Sequence, residues 1–222
     1  SSRGSGSSVL MVWLLLCAEA MPSRDRSNEL IALAARRPVK AAGTIELVVG
    51  DLAGESIEAI VSPAGDGATS VSRAQLAIQG AGGPGLVAEY DALMASLPSG
   101  VLAPLAHVVT SGHALACRYV LHCRPLHAAM ARDQEEHVLG RCLRSVFDTC
   151  RALGVRSVAL PAIGTGTHGY GVSTVARVAV SAAVAAQQQL DGPELIRFLL
   201  AGPATLETFL HALSDARDGL VN

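Results

Sequence analysis

Aromatic rings are scarce in this chain: Phe, Tyr and Trp together make up 3% of its 222 residues. Its core must therefore be built from Ala, Val, Leu and Ile. Lysine is scarcer still, with Lys40 alone in a Lys plus Arg total of 17, an imbalance to which we attach no function. Charged residues are only 16% of the chain against 50% hydrophobic, which excludes intrinsic disorder over most of its length. The net charge of −2 argues against a surface given over to polyanions, and no direct sequence-specific nucleic-acid binding is expected. The apolar run Val9–Ala18 is too short to cross a bilayer, which takes about 20 residues, so no membrane span is expected either. With Ala18-Glu19-Ala20 behind it, the run also has the look of a secretory signal; packing against a neighbouring region is the reading we favour. Cysteine is present in an odd number, five, in a chain large enough to need no staples. Cys117 and Cys123 on an expected strand, and Cys142 and Cys150 on an expected helix, read as small core residues. An intracellular location, nuclear or cytoplasmic, fits that usage best.

At about 150 residues per domain, the length allows one compact domain with an extension. Residues 1–28 form that extension: a Gly/Ser-rich linker at Ser1–Ser8, the apolar run, and a polar joint at Pro22–Asn28. Residues 29–222 form the domain. Leu30–Ala35 suits strand or helix. Thr44–Val49 and Ser56–Val61 read as strands, and Pro63–Ser72 is a loop rich in turn formers. Helical spacing in Ala74–Gln79 and Leu86–Leu97 is broken by Gly80–Gly85. Leu105–Thr110 and Arg118–Cys123 read as strands joined by a Ser111-Gly112-His113 turn. The spacing of Val138, Cys142, Val146 and Cys150 predicts a helix over Asp133–Leu153, closed by Gly154 as C-cap. A strand at Ser157–Leu160, a loop at Pro161–Gly171, a helix at Val172–Gln188, a strand at Leu195–Leu200 and a helix at Ala204–Ser214 complete the pattern. Such alternation implies a layered α/β domain with a mostly parallel sheet.

The stretch richest in chemical meaning runs from Val158 to Tyr170, where an apolar strand enters a loop holding Gly164, Gly166 and Gly169 and a helix follows. Such a loop brings backbone N–H groups close to an anion, helped by the positive end of the next helix. It matches neither the Walker nor the Rossmann glycine pattern. A second signal is Val48-Val49-Gly50-Asp51-Leu52, which sets an acid just after a strand. At the strand ends of one parallel sheet an acid and a phosphate loop together hold a nucleotide. Taken by itself, Asp51 reads more readily as a helix N-cap.

Together these blocks resemble the macrodomain family of ADP-ribose-binding modules. Gly50-Asp51-Leu52, Ile57 to Ser62, Val109 to His113 with Tyr119 to Cys123, and Ser157 to Tyr170 match in order, and the resemblance covers roughly Leu30 to the C-terminus. The closest texture is that of the branch found in macrodomain-containing histone variants. The resemblance implies a three-layer α/β/α fold with a mixed, mostly parallel central sheet and a cleft for ADP-ribose at its strand ends. It implies that Asp51, with Leu52 beside it, recognises adenine. Gly164, Thr165, Gly166, Thr167, His168, Gly169 and Tyr170 would surround the diphosphate and distal ribose. Ser62, Thr110 and Ser111 would complete the ligand-binding set. ADP-ribose or an ADP-ribosylated protein is the implied partner, and no cofactor is expected beyond that ligand.

Departures from the family pattern bear on activity. Hydrolytic members carry Asn-Ala-Ala-Asn after the second strand, where this chain has Ser62-Pro63-Ala64-Gly65. Their glycine run before the next helix is replaced by Thr69-Ser70-Val71-Ser72-Arg73. Hydrolysis needs the distal ribose and a water held in register, so the resemblance implies a reader without hydrolase activity. Two other outcomes stay open. One is an ADP-ribosyl hydrolase or O-acetyl-ADP-ribose deacetylase positioning its water with Asp66 or His168. The other is a degenerate domain acting in protein interaction, since Leu200-Ala201-Gly202-Pro203 stands where the histone-variant branch places a ring that stacks on adenine. Base–aromatic stacking contributes about 1–3 kcal/mol.

The remaining candidates read blandly. His122 and Cys123, adjacent on a strand, face opposite ways, and His113 and His127 lack zinc spacing, so no metal site is expected. Asp133, Glu135 and Glu136 complement a helix dipole. Arg36, Arg37 and Lys40 form a small solvated basic patch.

Overall fold

The computed structural model describes residues 37–39, 43–65, 71–125, 132–166 and 168–218. The apolar run, the joint at Pro22–Asn28, Leu30–Ala35, Asp66, His127 and Thr167 therefore lie outside the described residues. In chain order the elements are β1 (Arg37–Val39), β2 (Gly43–Val49), a 3-10 turn (Leu52–Gly54), β3 (Ala59–Pro63), α1 (Arg73–Ser96), β4 (His107–Ser111), β5 (Tyr119–Cys123), α2 (Arg132–Ala152), β6 (Ser157–Pro161), α3 (Val172–Gln187), β7 (Leu195–Leu200) and α4 (Pro203–Asp218).

The strands form one mixed sheet of seven in the order β1-β2-β7-β6-β3-β5-β4. The five central strands are parallel, and the two edge strands run antiparallel to their neighbours. Parallel strands buried on both faces must be apolar throughout, and β3, Ala-Ile-Val-Ser-Pro, is buried at every position. Alternation sorts the side chains onto two faces. Ile45, Leu47, Val61, Leu121, Leu160, Ile196 and Phe198 join the cluster containing Leu139, Val146, Val180 and Phe209 of α2, α3 and α4. Ile60, Val120, Ala159 and Leu199 join Leu52, Ile78 and Leu86 on the other face, beneath α1 and the 3-10 turn. The result is the three-layer α/β arrangement expected. The scarcity of rings shows in the core, where Phe198 and Phe209 supply a tilted pair at 5.3 Å between centroids and aliphatic side chains fill most of the rest.

Several boundaries have a visible physical cause. Helix α2 stops because Gly154 takes φ +66°, with Val155 N–H bonded to the Cys150 carbonyl and Gly154 N–H to that of Arg151. That double bond pattern is the Schellman closure, and only an achiral residue enters it without strain. The break expected over Gly80–Gly85 narrows to one residue: α1 continues on both sides of Gly83, and Pro84 opens its second segment, where a missing N–H costs nothing. Strand β4 begins at His107, two residues later than expected, because Leu105 sits at φ +63°. Cys117 lies in the turn before β5, not on the strand, and is half-buried. The pairing of β1 with β2 had no counterpart in the sequence reading.

Candidate functional site

Parallel pairing points the C-terminal ends of β2, β7, β6, β3 and β5 to one edge of the sheet. The two most informative blocks therefore emerge at the same edge. Asp51 follows β2 and the glycine loop follows β6, with β7 between them. Two strand spacings of about 4.8 Å put roughly 10 Å between the two exits.

Asp51 is exposed and caps the 3-10 turn, its Oδ1 accepting the Ala53 N–H at 3.1 Å. The N-cap reading of this residue thus holds, with the carboxylate still presented to solvent. Leu52 is 5% exposed and packs into the core under α1, so its role here is to anchor the turn.

The loop after β6 divides into inward and outward residues. Gly164 adopts φ +97°, and a Cβ there would stand 2.8 Å from Cδ2 of Tyr170, so the ring closes directly over a bare backbone. Tyr170 N–H bonds the Gly164 carbonyl at 3.0 Å, and Thr165 Oγ1 donates to the Ala162 carbonyl at 2.8 Å. Ile163, His168 and Tyr170 are buried, whereas Gly166 and Gly169 are exposed. His168 and Tyr170 therefore shape the loop from beneath. Among the described residues, the N–H groups of Gly164 and Gly166 enter none of the loop's own bonds, which run from Ile163, Thr165, Gly169 and Tyr170. Helix α3 follows at once from Gly171, which offers no side-chain cap, so the first N–H groups of the helix remain available to an anion.

The loop after β3 is held by a device that sequence reading missed. Ser72 caps α1, accepting the Gln75 N–H at 3.1 Å and donating to the Pro63 carbonyl at 3.3 Å. Gln75 Oε1 accepts the Gly65 N–H at 3.2 Å. Ser72-x-x-Gln75 is the spacing of a capping box, and that signal was present in the chain. Here Gln75 is diverted to the segment that replaces Asn-Ala-Ala-Asn, fastening Gly65 by its backbone. Ser62, the next-to-last residue of β3, is fully buried on the α1 side of the sheet.

Thr110 and Ser111 are not brought to the site. In the antiparallel β4–β5 pairing they stand opposite Val120 and Tyr119, at the start of β5, whereas the edge that carries Asp51 and the glycine loop lies at its end. Thr110 is buried and shares a hydrogen bond of 2.9 Å with His122 Nε2, and Ser111 N–H donates to the carboxylate of Glu89, which also meets His113 at 2.5 Å. His122 packs on Tyr90, and its burial pushes its pKa down to about 4, against a smaller opposing pull from Glu89. Cys123 faces the other side of the sheet, where its thiol meets that of Cys142. That contact holds Cys123 up and draws Cys142 down. Burial pushes Cys117 up to about 11 and Cys150 up to about 12, so neither is poised as a thiolate. Among the described residues no three His, Cys, Asp or Glu side chains are grouped to hold a metal, and no helix is long and apolar enough to cross a membrane.

The Macro domain family model matches residues 61–179. A macro domain-containing protein of Streptomyces nogalater is 31% identical over 173 residues, covering 78% of this chain and 93% of its own. The chain belongs to the macro domain family. A second relative, a macro domain-containing protein of Streptomyces coelicolor, is 32% identical over 167 residues, covering 74% of this chain and 95% of its own length. Among solved structures, the Oceanobacillus iheyensis macrodomain with ADP superimposes with a TM-score of 0.75 at 24% identity, covering 83% of this chain and 96% of that one. The Trypanosoma brucei macrodomain in complex with ADP-ribose gives 0.66 at 23% identity, covering 76% and 68%. At these identities the two structures establish the fold.

Proposed function

We propose that this macro domain binds ADP-ribose, free or attached to a protein, and reads it without hydrolysing it. The observation that carries the reading is the convergence of Asp51 with the glycine loop and the uncapped start of α3 on one sheet edge. An adenosine diphosphate spans the roughly 10 Å between these features. The carboxylate accepts from the adenine amino group, while loop and helix N–H groups take the diphosphate charge. Solved relatives hold ADP and ADP-ribose, which supports the same ligand class here.

The reader assignment is supported by what stands in place of the two asparagines: Ser62 is buried and Gly65 has no side chain. Neither offers an amide to the distal ribose. His168, one of the two alternative water-positioning groups, is 3% exposed. Calorimetry with ADP-ribose should show saturable binding, and Asp51→Ala should weaken it about tenfold, equivalent to about 1.4 kcal/mol. No heat at millimolar ligand would sink the proposal. An ADP-ribosylated acceptor should keep its modification over hours with the protein; release of ADP-ribose would replace reader by hydrolase.

A further inference from the structure

One polar cluster in the molecule is elaborate enough to need a reason. Arg197, on β7, stands opposite Glu46 of β2 in the strand register, and its Nε donates to Glu46 Oε2 at 2.7 Å. A cross-strand ion pair would be complete at that point. Its second arm, however, donates to Glu55, which belongs to neither strand. All three side chains are largely buried, 21% exposed for Arg197, 9% for Glu46 and 16% for Glu55. Burial opposes the guanidinium charge, and the Glu55 and Glu46 carboxylates more than offset it, so its pKa is held above the ordinary arginine value.

Glu55 is the residue that closes the 3-10 turn, and Asp51 is the residue that opens it. The turn has little strength of its own: its backbone bonds, Gly54 N–H to Asp51 O and Glu55 N–H to Leu52 O, are 3.4 and 3.3 Å long. Its position is thus set by attachments at either side, Leu52 in the core and Glu55 on Arg197. We propose that Arg197, acting through Glu55, is the positioning residue that holds Asp51 in register with the base, and so sets the site's preference for adenine. The inference rests on the reading of this site as an ADP-ribose site with Asp51 on the base. A planar guanidinium serves two carboxylates at once through its fork; an ammonium, as a point charge, does not.

The consequence is a division of labour within the cleft. Adenine presents an amino group to a carboxylate, and hypoxanthine presents a carbonyl at the same position. A displaced Asp51 should therefore lose the distinction between the two while the diphosphate loop keeps its hold. The test uses Glu55→Ala, which frees the turn but leaves Arg197 paired with Glu46. Arg197→Lys, which keeps a buried positive charge, makes the test readable should Glu55→Ala not fold. Arg156→Gln, removing an exposed ion pair with Glu194 at the opposite end of the sheet, is the control.

Each protein is titrated with ADP-ribose, with its hypoxanthine counterpart and with ribose 5-diphosphate, and amide exchange at Ala53 is followed without ligand. In Glu55→Ala and Arg197→Lys the preference for ADP-ribose over the hypoxanthine form should fall at least fivefold and Ala53 should exchange at least tenfold faster. Ribose 5-diphosphate should bind as to the wild type, and Arg156→Gln should change none of these. A wild type that prefers ADP-ribose, with variants that keep that preference, overturns the positioning role alone. Equal weakening of all ligands does the same. A wild type that binds neither nucleotide overturns the ADP-ribose reading and the inference resting on it.

Discussion

His122 shows how far one side chain can tie stability to solution conditions. It is fully buried between Thr110 and Tyr90, and burial lowers its pKa to about 4 from an unfolded value near 6.5. The folded protein therefore refuses a proton that the unfolded chain accepts. Its contribution to stability is complete above about pH 6.5 and falls by about 1.4 kcal/mol per unit as pH drops toward 4, some 3 kcal/mol from this group. Urea midpoints at pH 7 and pH 4.5 should show the loss, and His122→Gln should flatten it; a wild type with equal midpoints would refute this account. The same neighbourhood shows what sequence reading reaches and what it does not. That His122 and Cys123 face opposite ways follows from strand periodicity and holds. That Thr110 and Ser111 sit at the end of the sheet opposite to Asp51 and the glycine loop follows from an antiparallel register, which no local pattern encodes. The Glu46–Arg197–Glu55 cluster is invisible for a related reason, because it exists only once β7 has been placed beside β2.

Elements were easier to read than their neighbours. Helices α2 and α3 and strand β7 fall within a residue or so of expectation because periodicity, glycine and β-branched content agree there. The 3-10 turn and β1 were missed, being three residues each and too short to show a period. At the level of the helix, α3 carries a trade-off. Gly171 occupies an N-cap in extended backbone, φ −64° and ψ 138°, with open space where a Cβ would go. An acidic cap fits there without strain. Gly171→Asp should stabilise the fold by a few tenths to about 1 kcal/mol. On the proposed function it should also weaken ADP-ribose at least tenfold, because a carboxylate would occupy the N–H groups assigned there to the diphosphate. Thermal melts beside calorimetry check both signs, and a stabilised variant with unchanged affinity would remove the start of α3 from the site.

For the molecule as a whole, the two layers of helix on a seven-stranded sheet followed from alternation of elements, and the placing of Asp51 and the glycine loop at one sheet edge followed from parallel pairing. The strand order did not, since it depends on which strands meet across the whole chain. ADP-ribose binding only to the folded form should raise stability by about 2.7 kcal/mol at a hundredfold excess over Kd, and the midpoint of thermal unfolding by about 5–10 °C. A melting curve indifferent to ligand would count against binding at any site. The placement of β7 also sets a timetable for biosynthesis. Strand β2 is made early, yet its parallel partner is residues 195–200, near the end of the described chain. Such distant pairing is costly in loop entropy and slow to form. On the ribosome Asp51 must wait, attached to a strand without its neighbour, until almost the entire domain has emerged. The sheet edge that sets Asp51 and the glycine loop on either side of β7 is then completed in one late step, and the proposed site with it.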